Sequence, residues 1–211
     1  MIQTHPFRTH AKQYDEWFDK HPFVYESELI AIKQQLLSLG ENIYGIEVGV
    51  GTGRFASRLG IKEGIEPVEA MAAIARNRGV EIMKSRAEKL PYKDLHFDFI
   101  LLVTICHLDN LPSALKEIHR VLKNKGSVII GFLDKDGQIA QSYEEKRKTS
   151  RFYRNATFYP VKRVDTLLKA AGFKNLEYSQ TLFGKLEDIT EYQSAKSGHG
   201  RGSFVVVKAK K

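Results

Sequence analysis

Apolar positions recur along this chain with two periods, and the order in which those periods alternate predicts its architecture. Within residues 11–20, Tyr14, Trp17 and Phe18 fall at helical spacing; within 23–39, Leu29, Ile32, Leu36 and Leu39 do so before Gly40 ends the run. Two helices therefore precede the first strand. Short apolar runs with strand character follow at 43–48, 64–66, 80–84, 97–106 and 127–133, separated by helical patterns near 54–59, 68–78 and 112–123. This βαβα rhythm predicts a parallel sheet with helices covering both faces. Beyond it, 161–171 reads as a helix that stops at Gly172, and 175–182 and 203–208 read as two more strands. Their connection, 184–202, is long. Gly198, Gly200 and Gly202 flank His199 and Arg201 there, which reads first as a mobile loop and second as an anion site.

Between the first strand and the helix at 54–59 lies the run EVGVGTG, residues 47–53. Its alternating glycines, Gly49, Gly51 and Gly53, leave no Cβ on the turn, so the backbone can take positive φ and approach a ligand. The helix start beyond them offers unpaired N–H groups. A nicotinamide-dinucleotide fingerprint needs glycine at position 54, where this chain has Arg54; the pattern is instead G-x-G-x-G with Glu47 two residues before it. Nineteen residues after Glu47, a short buried strand ends at Glu66, where a carboxylate can accept from both hydroxyls of a ribose.

At these residues the chain resembles the class I S-adenosylmethionine-dependent methyltransferases, in particular the small-molecule subgroup often called type 11. The first motif of that family is E/D-x-G-x-G-x-G, and its second strand ends in an acid. Residues 85–91 (SRAEKLP) are similar to the family's G-D-A-E-x-L-P-F, and 96–100 (HFDFI) to its S-F-D-x-V. With 114–123 (ALKEIHRVLK) and 167–173 (LLKAAGF) following in order, the resemblance covers about residues 43 to 182. It implies a Rossmann-like α/β fold, a seven-stranded mostly parallel sheet with an antiparallel last strand, and S-adenosylmethionine as cofactor. By the same correspondence Glu47 reaches the methionine ammonium or orders the glycine loop, while Gly49, Gly51 and Gly53 make room. Glu66 takes the ribose diol, Ala87 and Glu88 lie along the adenine edge, and the backbones of Val103 and Thr104 complete the methionine site. Arg86 stands where many members carry aspartate, and Met71 stands where relatives pack a residue on the adenine side or in the core. Arg54 reads either as a contact to the cofactor carboxylate or as an exposed first-turn arginine.

A sulfonium is already an activated electrophile, so the protein has chiefly to align the acceptor and exclude water. His107, just past the fourth strand, either serves as general base for an acceptor that loses a proton or lines the pocket. His119 lies inside a helical run and reads as packing or surface, and Cys106 as a buried thiol. The stretch 144–163 interleaves arginines and lysines with aromatic residues. It predicts that Phe152, Tyr153, Arg154 and Tyr159 line or close the acceptor pocket and favour an anionic or aromatic acceptor; the rival reading is a solvated basic helix with its aromatics on the core. Tyr14, with Trp17 and Phe18, forms either a lid and aromatic cage or an ordinary packing face.

The chain's 211 residues, 42% hydrophobic, suit one elaborated domain. Its expected parts are an N-terminal helical cap (1–41), a cofactor-binding core (42–134), an acceptor-side insertion (135–160) and a C-terminal helix with a strand pair (161–211). A single cysteine excludes an intramolecular disulfide framework and a Cys-rich zinc site, and no metal is expected. Residues 1–8 lack a signal-peptide core, and no run approaches about eighteen apolar residues, so a cytoplasmic enzyme without membrane contact is expected. The net charge of +8 allows an acidic partner such as RNA, although Lys208, Lys210 and Lys211 belong to a tail that solvent explains. A small-molecule methyl acceptor is the main expectation. The alternatives are an RNA-modifying methyltransferase, without the N/D-P-P-Y/F tetrapeptide of amino-purine enzymes, and a non-catalytic cofactor-binding regulatory subunit. These motifs are shared by N-, O- and S-methylating enzymes.

Overall fold

A computed structural model describes residues 5–211. Two helices come first, α1 (His5–Lys20) and α2 (Pro22–Leu37), followed by β1 (Gly45–Val48), α3 (Arg54–Leu59), β2 (Glu63–Ile65), α4 (Glu69–Asn77), β3 (Glu81–Met83) and β4 (Phe97–Val103). The chain continues through α5 (Leu111–Val121), β5 (Leu122–Leu133), α6 (Gln138–Glu145), α7 (Val161–Ala170), β6 (Lys174–Thr181), β7 (Lys196–Ser197) and β8 (Phe204–Lys210).

All strands join one sheet in the order β3-β2-β1-β4-β5-β8-β6-β7. Strands β1 to β5 pair in parallel, β8 runs antiparallel to both β5 and β6, and β7 antiparallel to β6. This is the expected Rossmann-like arrangement, with eight strands rather than seven. The extra strand is β7, whose Lys196 and Ser197 pair with Gln180 and Ser179. Two exposed polar residues carry no alternation, so nothing in the hydrophobic pattern marks them. The connection that contains β7 is tied down at several points. The side-chain oxygen of buried Gln180 accepts from the N–H groups of Arg201 and Gly202, each at 2.8 Å, and Gln193 N–H donates to Ser27 Oγ on α2 at 2.8 Å.

Strands buried on both faces read as unbroken apolar runs, which is why β4 and β5 stand out in the sequence. On one face Ile100 and Leu102 of β4 and Val128 and Ile130 of β5 pack with Leu115 and Ile118 of α5 and Leu168 of α7. On the other, Phe99, Leu101 and Ile129 pack with Leu29 and Ile32 of α2. A register shift between Phe97 and Phe99 lets Phe97 share the first face with Ile100 despite the odd spacing. Each such side chain contributes about 1.5–3 kcal/mol when fully buried.

Two departures from the pattern-based expectation bear on the site. β4 stops at Val103 instead of reaching 106, because Thr104 takes a left-handed conformation (φ 63°) and Ile105–His107 forms a 3-10 turn. Helix α6 was not expected within the 135–160 insertion; it is short and buries only Ile139 and Ala140, too little apolar repeat to stand out. No described helix is long and apolar enough to cross a membrane.

Candidate active site

The glycine loop leaves β1 and turns immediately back on β2: the N–H groups of Gly49 and Val50 both donate to the Ile65 carbonyl, at 2.8 and 3.0 Å. Gly49, Gly51 and Gly53 have φ of 74°, 59° and 77°, which disfavour any residue with a Cβ. Their surroundings separate their roles. Nothing lies within 4 Å of where a Gly49 Cβ would stand, and Gly51 would meet only the Met71 Cε at 3.5 Å; both glycines line a cavity. Gly53 faces the other way, where a Cβ would stand 3.0 Å from the Ala75 backbone. It makes room for α4 rather than for a ligand.

Two acids frame the loop. Glu66, 6% exposed, accepts from the Gly51 N–H at 3.0 Å and the Val68 N–H at 2.8 Å. Burial raises its pKa to about 7 even against those two donors. Glu47, 1% exposed, has one carboxylate oxygen buried without any hydrogen-bond partner, and burial pushes its pKa well up, offset in part by the Ala56 N–H. An orphaned acceptor at the end of β1 is a place for a cationic donor.

A cavity of about 110 Å³ lies against this loop, walled by Gly49, Gly51, Glu66, Met71, Val103 and His107. Helix α1 covers it with Phe7 and Tyr14. Two smaller cavities adjoin it, and all three share Tyr14 and Thr104 in their walls. The first, about 30 Å³, reaches Glu47, Thr52 and Arg54. The second, about 50 Å³, is bounded by Trp17, Phe18, Glu28, Tyr143, Phe152 and Tyr153 as well. Rings close around the junction: Tyr143 stacks on Tyr153 at 4.3 Å, His107 on Tyr153 at 5.6 Å, and Phe7 meets the His107 edge at 4.9 Å. His107 Nε2 is sealed from solvent without a partner, and burial holds the imidazole down at about 4, so it is neutral at physiological pH.

The sequence-based expectations fall into two sets. Glu47, Gly49, Gly51, Glu66, Val103, Thr104 and His107 come together around the cavities beside the loop, and Tyr14, Phe152 and Tyr153 around the aromatic one. Ala87 and Glu88 line none of these. Ala87 is buried in the core, and Glu88 accepts from the Asn110 N–H at 3.0 Å with Arg86 beside it at 3.5 Å, tying the loop after β3 to the start of α5. Arg154 also lies away: it donates to the Lys148 carbonyl and borders an open cleft with Arg151 and His10. Tyr159 packs on the main core beside β5, where Lys135 N–H donates to its carbonyl. Arg54 is engaged by α1, pairing with Asp15 at 2.9 Å and Asp19 at 2.6 Å, while Arg78 pairs with Asp15 at 2.7 Å. Burial opposes ionisation of Asp15, but the two guanidinium groups overcome it and hold its pKa near 2. These ion pairs latch α1 over the glycine loop. Glu28 and Tyr143 were missed in the sequence. Glu28 had a weak signal, since it stands one turn from both Val24 and Ile32, but the same helix also buries Ser27 and Gln35.

A family model described as a methyltransferase domain matches residues 46–130. A crystal structure from Thermotoga maritima, described as an S-adenosylmethionine-dependent methyltransferase and possible histamine N-methyltransferase, is 43% identical, covers 98% of each chain and superposes with a TM-score of 0.92. An uncharacterised protein of Methanocaldococcus jannaschii is 39% identical over 206 residues, 97% of this chain and 98% of its own. At 15% identity, a methyltransferase of Archaeoglobus fulgidus covers 94% of this chain and 99% of its own with a TM-score of 0.69, and shares the fold. The chain belongs to the class I S-adenosylmethionine-dependent methyltransferases, within the type 11 methyltransferase-domain family. It is an enzyme whose cofactor is S-adenosylmethionine. The residues present fit that group: an unpartnered buried Glu47 oxygen suits its ammonium, open space at Gly49 suits its close approach, and Glu66 stands at the end of β2.

Proposed function

We propose that this methyltransferase acts on a small-molecule acceptor whose reactive end enters the aromatic cavity. One observation carries the reading. The cavity of about 50 Å³ is enclosed by side chains from α1, α2, α6 and residues 152–153, and shares Tyr14 and Thr104 with the cavity beside the glycine loop. Its wall holds no arginine or lysine among the described residues, whereas Arg151 and Arg154 border a separate open cleft. A nucleic-acid acceptor requires basic groups tracking the phosphates into the site. The T. maritima relative, described as a possible histamine N-methyltransferase, also points to a small acceptor.

When bound, S-adenosylmethionine supplies a methyl group activated on a sulfonium. In this reading Glu47 and the Val103–Thr104 backbone hold the methionine end, and Glu66 holds the ribose. Tyr14, Phe152 and Tyr153 orient the acceptor and keep water out, with α1 and residues 135–160 as cover. His107 is neutral with a free Nε2, and takes the proton that the acceptor sheds as its attacking atom becomes positive. The test is to incubate the protein with methyl-labelled S-adenosylmethionine and either a panel of small amines, alcohols, thiols and acids or total RNA. Label is expected in a small molecule. Label in RNA alone would overturn the proposal.

A further inference from the structure

We infer that Glu28 makes the aromatic cavity selective for a basic nitrogen, so that the acceptor is an amine on an apolar or aromatic frame. The inference rests on the small-molecule reading above and adds the chemical class. Glu28 projects from α2 into the cavity bounded by Tyr14, Trp17, Phe18, Tyr143 and Tyr153. It is only 8% exposed, and no described residue offers it a hydrogen bond or ion pair. It lines neither of the cavities that touch the glycine loop, which already have Glu47 and Glu66.

A buried carboxylate without a partner destabilises the free protein, and burial pushes the Glu28 pKa up to about 8. Mere packing would be served as well by glutamine or leucine on the same stripe. An ammonium beside Glu28 restores the carboxylate, and the surrounding ring faces attract the same cation through their quadrupoles; before attack the nitrogen returns one proton to that carboxylate, which frees the lone pair that takes the methyl group. A carboxylate or phosphate offers no cation to draw out the charged form of Glu28, and its own charge would be buried there unpaired. The neutral ring atoms leave an apolar scaffold as the only other requirement on the acceptor.

Trp17 is the only tryptophan in the chain and lies in the same wall, so its fluorescence reports occupancy directly. Protein saturated with S-adenosylhomocysteine is titrated with a series of aryl- and alkyl-ethylamines, each matched with its alcohol and its carboxylic acid. The amines should bind about 10- to 100-fold more tightly than their alcohols, and the acids more weakly still. Glu28→Gln should abolish the preference and raise KM for amine methylation more than it lowers kcat, with S-adenosylhomocysteine affinity unchanged. Alcohols that bind as well as amines in the wild-type protein would overturn the inference while leaving a small-molecule enzyme intact; that ranking needs no variant. Retention of the amine preference by Glu28→Gln would equally overturn it. RNA as the sole labelled product would remove both readings together.

Discussion

The two sides of the active site are built on opposite plans. On the cofactor side the turn after β1, the acid after β2 and the first turn of α4 all fall within residues 47–71, held by backbone hydrogen bonds to the Ile65 carbonyl and the Glu66 carboxylate. On the proposed acceptor side, Tyr14 of α1 and Glu28 of α2 meet Tyr143 and Tyr153 from the far half of the chain, and the latter two rings stack on each other. A shared cofactor demands a fixed backbone cradle. An acceptor demands a tailored set of side chains, which any helix or loop over the strand ends can supply.

If that division is right, changes at the junction affect chemistry, changes on either side affect one ligand, and changes outside affect neither. The largest effect is expected for His107→Ala, with kcat reduced about 10²- to 10⁴-fold on the true acceptor; because His107 also walls the cavity beside the glycine loop, S-adenosylhomocysteine affinity should fall too, but far less than kcat. Near-native turnover in that variant would reduce His107 to a wall residue.

Next comes Glu28→Gln, whose effect on stability should depend on pH. The folded-state pKa of Glu28 is about 8, above its ordinary value, so its stabilising protonation is fully present below the ordinary carboxylate range and is lost as pH rises through 8. Glutamine does not titrate. The variant should therefore match the wild type near pH 4.5 and exceed it at pH 8.5 by an amount on the order of a few kcal/mol in urea denaturation. The titratable groups facing Glu28 across the cavity are the phenols of Tyr14, Tyr143 and Tyr153, all pushed upward by burial and neutral throughout this window. A constant difference across pH would mean that Glu28 is solvated and ionised. Smallest of all is the paired change Arg151→Ala, Arg154→Ala: both lie in the outer cleft, and kcat/KM for a small acceptor should stay within about twofold, as for surface positions in general. A large loss would move those arginines into the acceptor path.

The same division explains what could be read before the structure. Alternating glycines with an acid two residues before them, and Glu66 at the next strand end, are local, and each has a steric or electrostatic reason visible in a few consecutive residues. Thr104 is different. Its left-handed φ cuts β4 short and turns His107 over the cavity, yet Ile105 and Cys106 continue the apolar run, and no glycine marks the turn. Arg154 and Tyr159 were grouped with Phe152 and Tyr153 because they share a stretch of chain. They part from that pair because Arg154 folds back on the Lys148 carbonyl, while Tyr159 bridges to Asp134 just past β5 and packs on the main core. Glu28 goes unread because α2 also buries Ser27 and Gln35, and what faces the acid comes from α1, α6 and residue 153.

The division between the two sides is tested most directly by calorimetric titration of S-adenosylhomocysteine into the wild type, Glu66→Ala and Glu28→Gln, each first checked for a cooperative thermal transition. The wild type should bind with micromolar affinity, and Glu66→Ala should bind about 1.5–3 kcal/mol more weakly, the scale for hydrogen bonds to a charged acceptor. Glu28→Gln should be indistinguishable from the wild type. Unchanged affinity in Glu66→Ala, or an equal loss in Glu28→Gln, would contradict the account.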